Sequence, residues 1–442
     1  MDKKDFGIFK SLYCTALFSS TFICATSVLA AGFQIQEQSV TNLGTAYSGT
    51  AALSADASTN FYNAAGLTHI PHTQIVVSAV GINGKFDLHP TLANANAPAN
   101  TPISPLTVED AGGFNFVPGL HMAHRFSDDI VVGMSVTSAF GLKTEYSETS
   151  VARFAATRSE LITILLSPSI AYQMNPHWSF AVGPDIQYAK ANLDVATNFT
   201  GGDLVNDGYS KNEGDDWGYS FHAGILYEWT EKTRLGLSYR SHFNYDVEGT
   251  NEAKAVPLLG GLVSTRPLET SIVLPETAIL SGFHEFENNW AVMFDVHWTA
   301  WSRFRTLRLR YPAGSGGVDT DTWEHWKDTI RYAVGAQYRW CDKWIFRAGL
   351  ALDETPVPEE RRTARIPDSD RTWVGVGVGY TFTPNFHVDL GYAHLFFKDA
   401  NINDRGPFAK QTSTPVLPGT HLVGKYESYA NIFGIQVKID FV

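Results

Sequence analysis

Few residues in this 442-residue chain are spaced for chemistry. The run Gly419-Thr420-His421-Leu422-Val423-Gly424-Lys425 carries most of a phosphate-cradling loop. Tyr426, however, stands where a Ser or Thr hydroxyl must meet a metal ion, and a strand pattern follows where a helix is needed. His121 and His124 are three apart, which on a strand puts them on opposite faces, unable to hold one ion together. His69 and His72 flank Pro71 and mark a turn. No Gly-x-Ser-x-Gly elbow occurs, which counts against one class of serine hydrolase. The expectation is therefore no enzyme activity, no cofactor and no metal. Two arginine groups remain, Arg303, Arg305, Arg308 and Arg310, then Arg361, Arg362 and Arg365. Guanidinium suits bidentate contact with carboxylate or phosphate, so either group could meet lipopolysaccharide or an anionic substrate. Solvated loop charge, partly balanced by Asp319, Asp321, Glu359 and Glu360, explains them equally well.

Any such groups must be positioned by elements that suit the compartment. Residues 1–30 read as a secretory signal: Lys3, Lys4 and Lys10 lead, an apolar stretch runs from Leu12 to Leu29, and Val28-Leu29-Ala30 closes it with a cleavage site. The mature chain would then begin Ala31-Gly32-Phe33. Cys14 and Cys24 leave with the signal, so Cys341 alone remains and no disulfide framework is possible. Charged residues make up 18% of the chain and aromatic ones 13%, while mean hydropathy lies slightly below zero. Those values coexist when apolar and polar residues alternate, as on barrel strands. A net charge of -12 excludes a nucleic-acid binder, which needs a basic surface.

The alternation is explicit. In residues 330–340 the even positions are Ile, Tyr, Val, Ala, Tyr and Trp, and the odd ones Arg, Ala, Gly, Gln and Arg. One face of such a strand is greasy and the other polar or small. After the signal, no window approaches the ~18 apolar residues of a membrane helix. Six tight turns, at 127–129, 175–177, 230–232, 287–289, 341–343 and 383–385, alternate with seven long connections near 85–113, 141–160, 195–216, 246–270, 302–329, 354–371 and 398–427. Seven long loops, each joining two strands, give about fourteen strands. The fold class expected is all-β, a transmembrane antiparallel β-barrel over residues 73–442 in a Gram-negative outer membrane. Trp178, Trp229, Trp290, Trp340 and Trp344, with Phe126, Phe286, Phe382 and Phe386, flank the tight turns as an interfacial girdle would. Residues 31–72 do not alternate and are rich in Ala, Ser, Thr, Asn and Gly; composition fits a plug or a loose tail equally well.

Residues throughout essentially the whole mature chain resemble the FadL family of transporters for long-chain fatty acids and hydrocarbons. The resemblance is carried by Ala31-Gly32-Phe33-Gln34 with Leu43-Gly44-Thr45-Ala46-Tyr47-Ser48-Gly49, by Thr137-Ser138-Ala139-Phe140-Gly141-Leu142, by Leu237-Ser238-Tyr239-Arg240-Ser241, and by Thr355-Pro356-Val357-Pro358 with Ile366-Pro367-Asp368-Ser369-Asp370-Arg371. It implies a monomeric fourteen-stranded barrel with residues 31–72 as a hatch. It also implies passive uptake of a hydrophobic small molecule by loop capture, pocket binding, hatch movement and sideways release into the outer-membrane lipid. Ala139, Phe140 and Gly141 would mark a kink in the third strand, and Phe33 the hatch residue near it. Glycine there suits a bulge.

Two positions depart from the family pattern. The usual Asn-Pro-Ala of the hatch is Asn63-Ala64-Ala65, which frees the φ angle proline would fix. The basic residue expected to meet a substrate carboxylate falls at Val195, with Leu193 suiting an apolar chain. The readings to be beaten are a general diffusion porin and an outer-membrane lipase or adhesin.

Overall fold

The computed structural model describes residues 31–95, 101–197, 207–254, 262–406, 408–409 and 420–441; the expected signal at 1–30 lies outside them. The wall begins with β1 (Thr73–Ala95), β2 (Gly113–Arg125), β3 (Ile130–Thr137 and Gly141–Glu145), β4 (Arg158–Asn175) and β5 (Trp178–Thr197). It continues with β6 (Gly208–Thr230), β7 (Thr233–Arg240 and Phe243–Lys254), β8 (Val263–Leu274 and Thr277–Glu285), β9 (Trp290–Thr299) and β10 (Thr329–Arg339). It ends with β11 (Trp344–Asp353), β12 (Arg371–Thr383), β13 (Phe386–Phe397 and Ala400–Asp404) and β14 (Thr420–Phe441). Each strand pairs antiparallel with the next, and β14 returns to β1 from Thr73↔Phe441 to Ala95↔Thr420, closing a fourteen-stranded barrel. Closure leaves neither β1 nor β14 a free edge in lipid, where an unpaired backbone group costs several kcal/mol.

The tight turns lie where the alternation ends. The long loops are shorter than the sequence suggested, because β1 runs on to Ala95, and β7 and β8 remain strand to Lys254 and from Val263. Beyond the lipid the strands carry polar residues on either face, so Glu252, paired with Thr265, and Ala253, paired with Ser264, sit on paired strands with no apolar alternation to betray them. Outward residues are apolar across the lipid zone: Phe433, Ile435, Ile439 and Phe441 of β14 are all exposed. Of the expected girdle, Phe126, Trp178, Trp229, Phe286, Trp290, Trp340, Phe382 and Phe386 are exposed and Trp344 is half-exposed, as rings seated at an interface should be.

Residues 31–72 are folded into the lumen, with most side chains buried. Only short helices form there, α1 (Val40–Leu43), α2 (Thr59–Tyr62) and a 3-10 turn (Ala64–His69), so many backbone carbonyls have no partner of their own. Long donors on the inner wall supply them. Arg125 reaches Thr68 and Ile70, Arg234 reaches Leu53, Arg240 reaches Phe61, and Arg331 reaches Ala46 and Tyr47, each at a carbonyl oxygen. The small inner face of β10–β12 is where the hatch lies flat: a Cβ at Gly349 would stand 2.0 Å from the Thr45 carbonyl oxygen. Asn63 keeps its turn without the proline, since its side chain accepts from the Ala65 amide at 3.1 Å and donates to the Ala51 and Ile225 carbonyls. Ala64 and Ala65 are buried in that turn.

Candidate binding pocket and wall opening

The first residues of the hatch end in an aromatic cage. The Phe33 ring centroid lies 4.7 Å from Trp301, 5.5 Å from both Phe304 and Trp326, and 6.3 Å from Phe140, mostly edge to face. Such pairs contribute roughly 0.5–1.5 kcal/mol each beyond burial. Just ahead of it, the Gly32 amide donates to Asp368 Oδ2 at 3.0 Å. Asp368 is itself held by Thr355 Oγ1 at 2.6 Å and faces Arg371 at 3.4 Å. Gly32 has a φ of +63°, and a Cβ there would stand 2.7 Å from a Trp326 ring carbon, so glycine is required twice over.

One face of Phe33 borders a pocket of about 60 Å³. Leu161 of β4, Ala191 and Leu193 of β5 and Ile272 of β8 supply its apolar wall. Phe304 and Leu307 from the β9–β10 connection and Leu142 of upper β3 complete it. Three charged groups enter this wall: Glu160, Glu324 and Arg365. Ligand pockets run to roughly 300–1,000 Å³, so a ligand of that class would have to displace lining side chains to enter. Val195 is not among the lining residues. It lies two residues beyond Leu193 on β5, and at ~3.3 Å rise per residue the strand has by then outrun the pocket. The arginine that does line the pocket is Arg365, from the second basic group; Arg303 and Arg310 are instead paired with Glu276 and Asp321. Sequence reading named Arg365 but gave no way to separate it from Arg361 and Arg362, because a loop has no periodicity to say which side chain turns inward.

Burial fixes the charge states nearby. Desolvation pushes the Glu324 carboxyl up to about 8, only partly offset by the Trp326 indole N–H that donates to it at 3.0 Å. Arg365 donates to the Arg158 and Asp194 carbonyls and to Ser159 Oγ, all neutral acceptors, and among the described residues no carboxylate lies within ion-pair distance of it. Desolvation lowers its pKa and the charges of Asp404, Asp194 and Glu324, none within ion-pair distance, offset that only in part, so an incoming anion would stabilise the cation further.

Beside the cage the barrel wall opens. Between Thr137↔Leu165 and Gly141↔Ile162, three residues of β3 face two of β4, a bulge formed by Ser138, Ala139 and Phe140. The β2–β3 ladder stops at Leu120↔Val136. Above that level Gly113–Gly119 pair with β1, upper β3 pairs with β4, and the two edges rejoin only where the Glu145 amide donates to the Ala111 carbonyl. The bulge turns inward onto the hatch. Ile35 N donates to Ala139 O at 2.9 Å, and Gly141 N to Phe33 O at 2.8 Å. Ala139 and Phe140 are buried there, and Thr163 of β4 serves both backbone groups of Phe140. Elsewhere, His121 is buried on the inner face of β2 and His124 exposed on the outer one.

A family profile described as outer membrane protein transport protein (OMPP1/FadL/TodX) matches residues 21–441. The long-chain fatty acid transport protein of Escherichia coli O6:H1 is 31% identical over 413 residues, covering 86% of this chain and 90% of that protein. Outer membrane protein P1 of Haemophilus influenzae is 27% identical, covering 98% and 99%. Among solved structures, a Pseudomonas aeruginosa FadL homologue superposes with a TM-score of 0.83 at 20% identity, covering 93% of this chain and all of that one. The Pseudomonas putida toluene transporter TodX gives 0.67 at 16% identity, over 93% of this chain and 100% of that chain. At those identities the two structures speak to fold alone.

Proposed function

The chain belongs to the OMPP1/FadL/TodX family of outer-membrane transport proteins, and from that membership we propose that it is a passive channel delivering long-chain fatty acids from outside the cell to the outer-membrane lipid. The observation that carries the acid, as opposed to a neutral hydrocarbon, is Arg365: a half-buried guanidinium with no carboxylate within ion-pair distance among the described residues, set in the wall that Phe33 and Leu193 share. The acyl chain gains roughly 25 cal/mol per Å² on leaving water for this wall, and the carboxylate meets Arg365 at its edge. Phe33 gives way, and the hatch segment 33–35 moves with it. The gap beside Ala139, Phe140 and Gly141 then offers an exit into lipid without passage through the periplasmic half of the lumen. No energy source enters; metabolism inside the cell maintains the gradient. A general diffusion pore needs an open lumen, and the buried hatch argues against one.

Arg365→Leu tests the acid assignment. A hydrogen bond to a charged group contributes roughly 1.5–3 kcal/mol, so affinity for a long-chain fatty acid should fall about 10- to 100-fold while that for an alkane of equal length holds. Equal losses for both ligands would remove the carboxylate role. The pH dependence follows from Glu324. Below its raised pKa of about 8 it is neutral; above it, a carboxylate stands in the same wall as the ligand's own. Fatty acid affinity, measured by fluorescence titration of the purified protein, should weaken as pH rises from 7 to 9. Glu324→Gln should flatten that decline, and a decline unchanged in the variant would place its origin elsewhere.

A further inference from the structure

We infer that Gln38 is the positioning residue that ties the hatch to the opening in the wall and keeps that opening formed, because among the described hatch residues it alone is bonded to both strands that frame it. Its side chain is fully buried. Towards β3, the amide nitrogen donates to the Ser138 carbonyl at 2.6 Å, and the amide oxygen accepts from the Ser138 N–H at 3.4 Å. This is the pair of bonds a neighbouring strand would make to Ser138, supplied instead by one hatch side chain. Towards β2, the Gln38 carbonyl oxygen lies 3.0 Å from His121 Nε2. A carbonyl only accepts, so that ring nitrogen carries the proton, and the neutral ring's Nδ1 is left to accept from Ser135 Oγ at 2.8 Å. The same carbonyl accepts from Ser78 Oγ of β1 at 3.3 Å.

The position matters as much as the bonds. His121 and Ser135 form one of the last paired rungs of the β2–β3 ladder, and Ser138 is the first residue of the bulge above it. Gln38 therefore clasps the lower end of the gap from both sides. While it is in place, the Ser138 backbone is satisfied from inside the lumen and has no need of the free edge of β2. Once the clasp is lost, the Ser138 N–H and carbonyl must find new partners, and the free edge of β2 faces them. There Pro118, opposite Ser138 in the register of the ladder below, offers a carbonyl but no N–H; drawing Ser138 towards that edge narrows the gap. A buried polar group seeks its hydrogen bond because remaining unpaired is costly. Gln38 thus holds the bulge inward and the gap formed, from a position three residues beyond the segment 33–35 that the ligand displaces.

This inference rests on sideways release, and its test separates the two. Gln38→Leu keeps the volume and the backbone carbonyl but removes both bonds to Ser138; Gln38→Glu keeps the acceptor and removes the donor. Purified variants would be titrated with a fluorescent fatty acid, and cells expressing them assayed for uptake, with heat-modifiable electrophoretic mobility reporting barrel assembly. The expected result is uptake lowered about tenfold in the Leu variant and less in the Glu variant, with pocket affinity within about twofold of the parent. Uptake unchanged in both variants would overturn the clasp, as would uptake and affinity falling in parallel, the mark of general structural damage. Should the Leu variant fail to assemble, the Glu variant decides on the same criteria. If shortening the β3 bulge leaves uptake intact, sideways release itself falls; if shortening abolishes uptake while Gln38 variants do not alter it, only the clasp does.

Discussion

Deleting Ala139 is expected to abolish fatty acid uptake, by tenfold at the least, in a barrel that still assembles. The reason is parity. Thr137 faces the lumen below the bulge, and Leu142 and Thr144 face it above. Those spacings are odd, while a strand returns to the same face at even steps. One extra residue must therefore be absorbed, and the structure absorbs it at 138–140 against two residues of β4. Removing one residue lets β3 run straight, keeps both flanking segments on their present faces, and leaves a continuous edge to pair with Gly113–Gly119. A ligand leaving sideways would then have to break several backbone hydrogen bonds at the lipid boundary, each worth several kcal/mol where water cannot replace it. Uptake of labelled fatty acid by cells lacking their own outer-membrane transporter measures this. Transport that survives a straightened strand would send the ligand down the lumen past the hatch instead.

Gly32→Val should have the second largest effect, on binding. Valine cannot take the +63° φ of this residue without strain, and its Cβ would collide with both Trp301 and Trp326. The first residues of the hatch would leave the cage, Phe33 with them, and the Gly32–Asp368 hydrogen bond would break. Losing a buried phenylalanine costs roughly 3–5 kcal/mol, yet the fourteen-strand ladder does not include these residues and should form regardless. Because Phe33 is part of the pocket wall, affinity for a long-chain fatty acid is expected to fall on the order of tenfold or more. Titration of the purified variant, alongside thermal melting of the barrel, reads both parts. Affinity unchanged after eviction would mean that the ligand is held by Leu161, Leu193 and Ile272 without the hatch.

The barrel was legible because lipid imposes a rule on every strand that crosses it. Alternation in residues 330–340, tight turns such as 341–343, and rings at Trp290 and Trp340 are each forced by an apolar solvent outside and a closed hydrogen-bond ladder within. Where that rule stops, the pattern stops too: β7 and β8 continue past the lipid with nothing in their composition to show it. The kink could be suspected at Gly141 from family resemblance, but its cause is a count of residues between lumen-facing positions, and which positions face the lumen is known only from the pairing.

By itself, then, the sequence determined the solvent of each strand face, the number of strands and the compartment, since these depend on residue type and on spacing along the chain. Tertiary structure alone decided that Arg365 and not Val195 enters the pocket, and that Gln38 stands between β2 and β3. It also decided that wall arginines serve the hatch carbonyls. These contacts join residues on average far apart in sequence, from loops and a hatch that carry no period. Nothing local constrains which of their side chains meet until the barrel closes around them.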